Sequence, residues 1–165
     1  MLIRQELQRD LPDIARIVER AFRDHPYSMG TEARIISRLR ASGALTVSLV
    51  VEIDNRTCGH IAASPVQVDG RNVNWFGIGP VAVEPTQQGM GCGSALIRGC
   101  IATLGQRGAG GCVVLGEPAF YGRFGFKPTA GLTYPGPPAD HFMALPLGSP
   151  VPQGLVTYHA AFSQA

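Results

Sequence analysis

An α/β fold around a mixed, mostly antiparallel sheet is what this chain predicts, on three observations. Two segments with apolar residues at helical spacing come first, a run of period-two strands follows, and a glycine-rich strand-to-helix junction stands near the middle. With 165 residues, 45% of them apolar and 16% charged, the chain suits one well-packed domain over residues 1–165 and argues against extended disorder.

Residues 2 to 6 open as a short strand. Asp10 can then cap a helix whose Leu11, Ile14, Ile17, Val18, Ala21 and Phe22 fall on one face. Around His25-Pro26 the pattern breaks, and Thr31 can cap a second helix carrying Ile35, Ile36 and Leu39 before Gly43 ends it. Val47, Leu49, Val51 and Ile53 next mark a half-buried strand, and the turns Asp54-Asn55 and Asp69-Gly70 make residues 45 to 84 an antiparallel meander. Gly77, Gly79 and Pro80 interrupt its last strand, which is expected to splay, because proline cannot donate to a ladder and glycine marks a bulge or a close approach.

Leu96, Ile97, Cys100, Ile101 and Leu104 place a helix after the glycine-rich junction, ended by Gly105 and Gly108. A short buried strand at 113 to 115 and a helical turn from 118 to 124 follow, proline being favoured in a first turn. Residues 128 to 140 read as a long surface loop, and 142 to 147 and 155 to 162 as closing strands.

The net charge of +2 and the scattered arginines give no clustered basic face, so nucleic acid is not an expected partner. Cys58, Cys92, Cys100 and Cys112 lack the short spacings of zinc or redox sites and read as buried free thiols. His25, His60, His141 and His159 follow no metal spacing, so no metal is expected. Without a signal-peptide pattern or a bilayer-length apolar run, a cytoplasmic protein with no membrane partner is expected. The apolar C-terminal segments leave room for a homodimer.

The segment Val81-Ala82-Val83-Glu84-Pro85-Thr86-Gln87-Gln88-Gly89-Met90-Gly91-Cys92-Gly93-Ser94 is the chemically informative one. It joins a strand to a helix through glycines, and the first amides of a helix have no internal partner and sit at its positive end. That is an anion site requiring no cationic side chain. No Gly-Lys-Ser/Thr follows, which excludes the nucleoside-triphosphate loop. A dinucleotide loop would need glycine at Ser94 and an acidic residue about twenty positions on, and has neither.

Gln88, Gly91 and Gly93, after residues 81 to 85, resemble the acyl-CoA signature of the GNAT superfamily of N-acetyltransferases. Gly116-Glu117-Pro118-Ala119-Phe120-Tyr121-Gly122-Arg123-Phe124-Gly125-Phe126 resembles that superfamily's second signature. The match is nearest to a bacterial subgroup with Gly-Asp-Pro-Ala-Tyr-Tyr, from which Glu117 and Phe120 depart. An asparagine that many members carry early in this motif is missing.

This resemblance implies helices on both faces of the sheet and acetyl-CoA as co-substrate. It implies that Val81, Ala82 and Val83 bind the cofactor, with the amides and carbonyls of Val81 and Val83 pairing with the pantetheine arm like an extra strand, and that Gln88, Gly89, Met90, Gly91, Cys92, Gly93 and Ser94 hold the pyrophosphate. Tyr121 would lie near the thioester sulfur, and a phenol of pKa about 10, protonated at neutral pH, is expected to protonate the departing thiolate of pKa about 8.5. Glu84 is the nearest acidic candidate for a base by sequence. Tyr27, Ser28 and Met29 correspond by position to the region that shapes the acceptor pocket, and Arg123 is a candidate contact for the cofactor's ribose phosphate.

The expected activity is transfer of an acetyl group to a primary amine, small molecule or protein, in a ternary complex. The alternative is a non-catalytic CoA-binding or protein-interaction module on the same fold. A nucleotide enzyme using the same loop would instead favour ATP or NAD.

Overall fold

The computed structural model describes residues 1–26 and 28–163. Its elements run β1 (Leu2–Gln5), α1 (Leu11–Phe22), α2 (Glu32–Ala41), β2 (Val47–Ile53), β3 (Arg56–Val68), β4 (Arg71–Val83), α3 (Cys92–Gln106), β5 (Gly111–Leu115), α4 (Pro118–Tyr121), β6 (Leu132–Thr133), β7 (Phe142–Pro146) and β8 (Gly154–Tyr158). The strands lie in the order β1-β2-β3-β4-β5-β7, antiparallel except where β4 meets β5. The short β6 pairs in parallel with β8.

Tight turns set the meander. Asp54 and Asn55 have φ of 51° and 63°, and Asp69 and Gly70 have 51° and 75°, the left-handed pairs that two-residue hairpins require. The long β3 gives one edge to two partners: residues 56 to 63 pair with β2, and Val66, Gln67 and Val68 pair with β8. Pro65, with no N–H to donate, stands at the changeover.

Both faces of the sheet are covered. Leu96, Ile97, Cys100 and Leu104 of α3 pack with Leu49, Val51, Ile61 and Val114 on one face. Ile14, Ile17 and Val18 of α1 and Ile36 of α2 pack with Val50, Ala62 and Ala82 on the other. Full burial of each such aliphatic side chain stabilises the fold by about 1.5–3 kcal/mol, which is what an apolar stripe at helical spacing supplies.

Three local expectations change. Asp10 stands at the N-cap of α1 without capping it. Its carboxylate accepts instead from the Leu7 amide and from both Nη atoms of Arg4, which also contacts Glu52 at 2.6 Å. Thr31 likewise makes no side-chain cap on α2. Within the expected loop of 128 to 140, Leu132 and Thr133 pair with Gly154 and Leu155, a two-residue strand too short to leave a period.

The four cysteines are buried and free. Burial pushes the Cys100 thiol up to about 12, so it stays protonated and inert. Among the described residues, no helix is long and apolar enough to cross a membrane.

Candidate active site

β4 and β5 pair in parallel only from Trp75–Gly111 to Ile78–Val114. Beyond Ile78, β4 carries a cis Gly79-Pro80 bond and continues to Val83, while β5 ends at Leu115. The two strands therefore part at Gly79, within the interruption the sequence marks.

The register decides what faces this opening. Glu84 N–H donates to the Cys58 carbonyl at 2.7 Å, and Ala82 stands opposite His60. An antiparallel ladder alternates, so Ala82 and Glu84 direct their peptide groups to β3, while those of Val81 and Val83 face the parted β5 side. These two valines are the residues whose amides and carbonyls the resemblance assigns to the pantetheine arm, while Ala82 is tied to β3.

At the end of β4, Gln88 Nε2 donates to the Val83 carbonyl at 3.1 Å and ties the glycine loop to the strand. Gly89 and Gly91 have φ of 80° and 87° with open space where a side chain would stand. Glycine is needed there for the backbone turn. Gly91 is the N-cap of α3, and the first intrahelical bond is Ala95 N–H to the Gly91 carbonyl at 3.0 Å. The amides of Cys92, Gly93 and Ser94 thus lie at the positive helix end with no partner inside the helix. Met90 is exposed and the Cys92 side chain is buried, so the loop contributes backbone rather than thiol chemistry.

Tyr121 ends α4 beside this opening. Its ring meets Phe120 and Phe126 edge-on at 4.9 and 5.9 Å and lies against the bare Cα of Gly116, where a β-carbon would clash. Burial pushes the hydroxyl up to about 12. The same burial raises a thiol as well, so the neutral hydroxyl is a donor that can meet a thiolate developing beside it.

Glu84, the expected base, is held by two arginines. Arg16 Nη1 donates to Oε2 at 3.1 Å, and Arg20 Nη1 forms an ion pair with Oε1 at 2.8 Å without hydrogen-bond alignment. Both carboxylate oxygens are occupied by guanidiniums from α1, on the face away from α3. Among the other expected residues, Ser28 donates to Glu32 at 2.7 Å and accepts from the Gly30 amide at 3.0 Å, Met29 is 85% exposed, and Tyr27 lies outside the described residues.

Two residues escaped the sequence reading. A β-carbon on Gly77 would stand 2.5 Å from the Tyr158 ring, so β8 brings an aromatic onto β4 two residues before the parting. Burial, then the phenols of Tyr134 and Tyr121, raises the Tyr158 hydroxyl and keeps it neutral. Arg98 is the second, one helical turn after Ser94, a spacing that was legible once α3 was placed. No group of three or more His, Cys, Asp or Glu among the described residues could hold a metal.

A parted parallel strand pair closed by a glycine loop at a helix start defines the class, and comparison with known proteins agrees. The family model described as an acetyltransferase (GNAT) domain matches residues 3–129. The chain belongs to the GNAT acetyltransferases and is an acyltransferase by class. It is 37% identical over 128 residues to the N-acetyltransferase YhbS of Escherichia coli K12, covering 77% of this chain and 74% of that one. The N-acetyltransferase YjhQ of the same organism is 33% identical over 140 residues, 80% and 75% of the two chains.

Among solved structures, a GNAT acetyltransferase from Brucella melitensis in complex with acetyl-CoA superposes with a TM-score of 0.87 at 45% identity, covering 98% of this chain and 97% of that one. YhbS from Escherichia coli in complex with CoA superposes at 0.86 with 33% identity, covering 98% and 91%.

Proposed function

We propose that residues 1–165 act as one acyl-CoA N-acyltransferase domain that transfers the acetyl group of acetyl-CoA to a primary amine by direct attack in a ternary complex. The observation that carries this reading is the opening between β4 and β5, lined by the Val81 and Val83 peptide groups and ending on the amides of α3. The acetyl-CoA and CoA complexes of the Brucella and Escherichia proteins support it.

The co-substrate supplies an activated thioester. Val81 and Val83 hold its arm as an added strand would, and an amide there donates to the carbonyl oxygen as charge develops. The amides of residues 88 to 94 take the pyrophosphate. Tyr121, neutral at physiological pH, donates to the sulfur as the C–S bond breaks, and the proton that the attacking nitrogen loses on forming the amide replaces the one delivered to sulfur, so that CoA leaves as the thiol. An ammonium has no lone pair, so the amine must arrive or become neutral before it attacks. Glu84 is paired with two arginines, and selection of the free base serves in its place. Ser28 and Met29, after α1, belong to the acceptor side.

Thermal unfolding with acetyl-CoA, ATP or NAD tests the reading. Acetyl-CoA at about a hundred times its dissociation constant adds roughly 2.7 kcal/mol, a shift of several degrees. A rise with acetyl-CoA alone, followed by amine-dependent thiol release, is the expected result. No rise at millimolar acetyl-CoA would sink it.

A further inference from the structure

Two phenols approach the parting of β4 from β5 from opposite faces of the sheet, and the transfer described above uses only one of them. Tyr158 starts on β8, where it pairs with Val66 of β3. Its ring crosses β3 and reaches β4, so that a β-carbon on Gly77 would stand 2.5 Å from Cε1 and 2.9 Å from Cδ1. The hydroxyl, borne on the ring carbon next to Cε1, is thereby delivered to β4 two residues before the Gly79-Pro80 bond. Tyr134 meets the same ring edge-on at 5.1 Å and Phe162 lies 5.2 Å from it, so the hydroxyl is held in place before anything binds.

Tyr121 packs with Phe126 and Met143 on the face that α3 covers. Tyr158 packs with Val66, Trp75 and Val113. Val113 alternates with Val114 of the α3 face, and Val66 lies two and four residues beyond Ser64 and Ala62, so this group points to the face that α1 and α2 cover. Burial first, and then charge on Tyr134 and on Tyr121, raises the Tyr158 hydroxyl, which places the phenols near one another across the parting.

Buried hydroxyls ordinarily find partners. Among the described residues the hydroxyls of Tyr121 and Tyr158 have none. Ser64 pairs with Gly77 and so shares its face; it is fully buried, and its Oγ is unpartnered as well. Hydrogen-bonding capacity is thus left unused on both sides of the parting, with the phenol oxygen of Tyr158 able to accept as well as donate.

We propose that Tyr158 is the acceptor-side counterpart of Tyr121: its oxygen accepts from an N–H of the attacking amine, which arrives on the face covered by α1 and α2, and turns the nitrogen lone pair towards the thioester carbonyl. The N–C bond forms as the C–S bond breaks, the proton lost by nitrogen replaces the one Tyr121 gives to sulfur, and Tyr158 ends as the neutral phenol it began. The inference rests on the acetyl-CoA reading above and adds which residue orients the acceptor.

The test needs no knowledge of the natural amine. Isothermal titration of the full chain compares CoA with two conjugates, one whose sulfur carries CH2–CO–NH–butyl and one in which an ester oxygen replaces that N–H, for wild type and Tyr158→Phe. The variant keeps the ring on Gly77, and its unfolding midpoint confirms that it is folded. Wild type should prefer the amide to the ester by about three- to tenfold, the scale of one hydrogen bond. Tyr158→Phe should lose that preference by weakening the amide alone, with CoA affinity unchanged; any intrinsic difference between the conjugates cancels in the cycle. Equal weakening of amide and ester would overturn the inference by making Tyr158 a packing residue, and a preference that survives in Tyr158→Phe would overturn it by assigning the N–H to another group. Both results leave the cofactor reading intact. Binding of none of the three ligands by wild type would overturn the cofactor reading itself.

Discussion

The ring of Tyr121 rests on the Cα of Gly116, five residues earlier in the chain, at a distance that leaves no room for a β-carbon. A glycine in the turn after β5 thus sets where the candidate donor hydroxyl stands. Gly116→Ala should push the ring away at a cost of about 1–3 kcal/mol. Turnover should fall while CoA binding holds, checked by steady-state kinetics beside a CoA titration; unchanged kinetics would show that the ring is free to move.

Tyr121→Phe keeps the same packing and removes only the hydroxyl. Loss of one hydrogen bond to a developing charge should lower kcat about 10- to 100-fold with the CoA dissociation constant nearly unchanged. Wild-type turnover in this variant would remove Tyr121 from the chemistry.

Glu84→Gln should leave the pH profile of kcat unchanged, because the carboxylate is turned to Arg16 and Arg20 of α1. Both arginines are more than 40% exposed, so the loss of stability should be near 1 kcal/mol. Disappearance of an acidic limb from the profile would restore Glu84 as a base.

His60 is fully buried beneath α1 and α2, with Nε2 2.7 Å from Ser48 Oγ. Ser48 donates to Glu6, which Arg40 holds with bonds of 2.8 and 2.9 Å. Since the Ser48 proton goes to Glu6, Nε2 of His60 must be the donor, and Nδ1 is a buried atom without a partner. Burial lowers the pKa of His60 below 6.5 despite Glu6 nearby.

The folded protein therefore binds fewer protons at this site than the unfolded chain does. The contribution of His60 is complete above pH 6.5 and is lost as pH falls towards its lower folded value. As pH falls from 6.5 towards that lower value, stability should decline with a slope of at most about 1.4 kcal/mol per pH unit from this site, and His60→Gln should flatten that slope in urea titrations. Below pH 3.8 Asp10, which Arg4 holds at about 2, adds its own loss.

Much of the fold was legible because its determinants are local. The apolar stripe of Ile14, Ile17 and Val18, the left-handed turns at Asp54-Asn55 and Asp69-Gly70, and the glycines that open α3 each follow from neighbouring residues and their φ angles. The two signatures around Gly91 and Tyr121 carried the family for the same reason. Caps were less legible: Asp10 has the right residue type in the right place, yet Arg4 supplies a charged partner that outcompetes the helix end.

What the chain determined by itself was the order of its elements, the point where β4 must part from β5, and the glycine loop that opens α3. The tertiary structure alone decided which side chains are free. Arg16 reaches Glu84 across 68 residues and Arg123 reaches Ser94 across 29, while β8 lays Tyr158 on Gly77. Such partnerships depend on strand register and on where one helix lies over the sheet, and a period read along the chain holds no record of either.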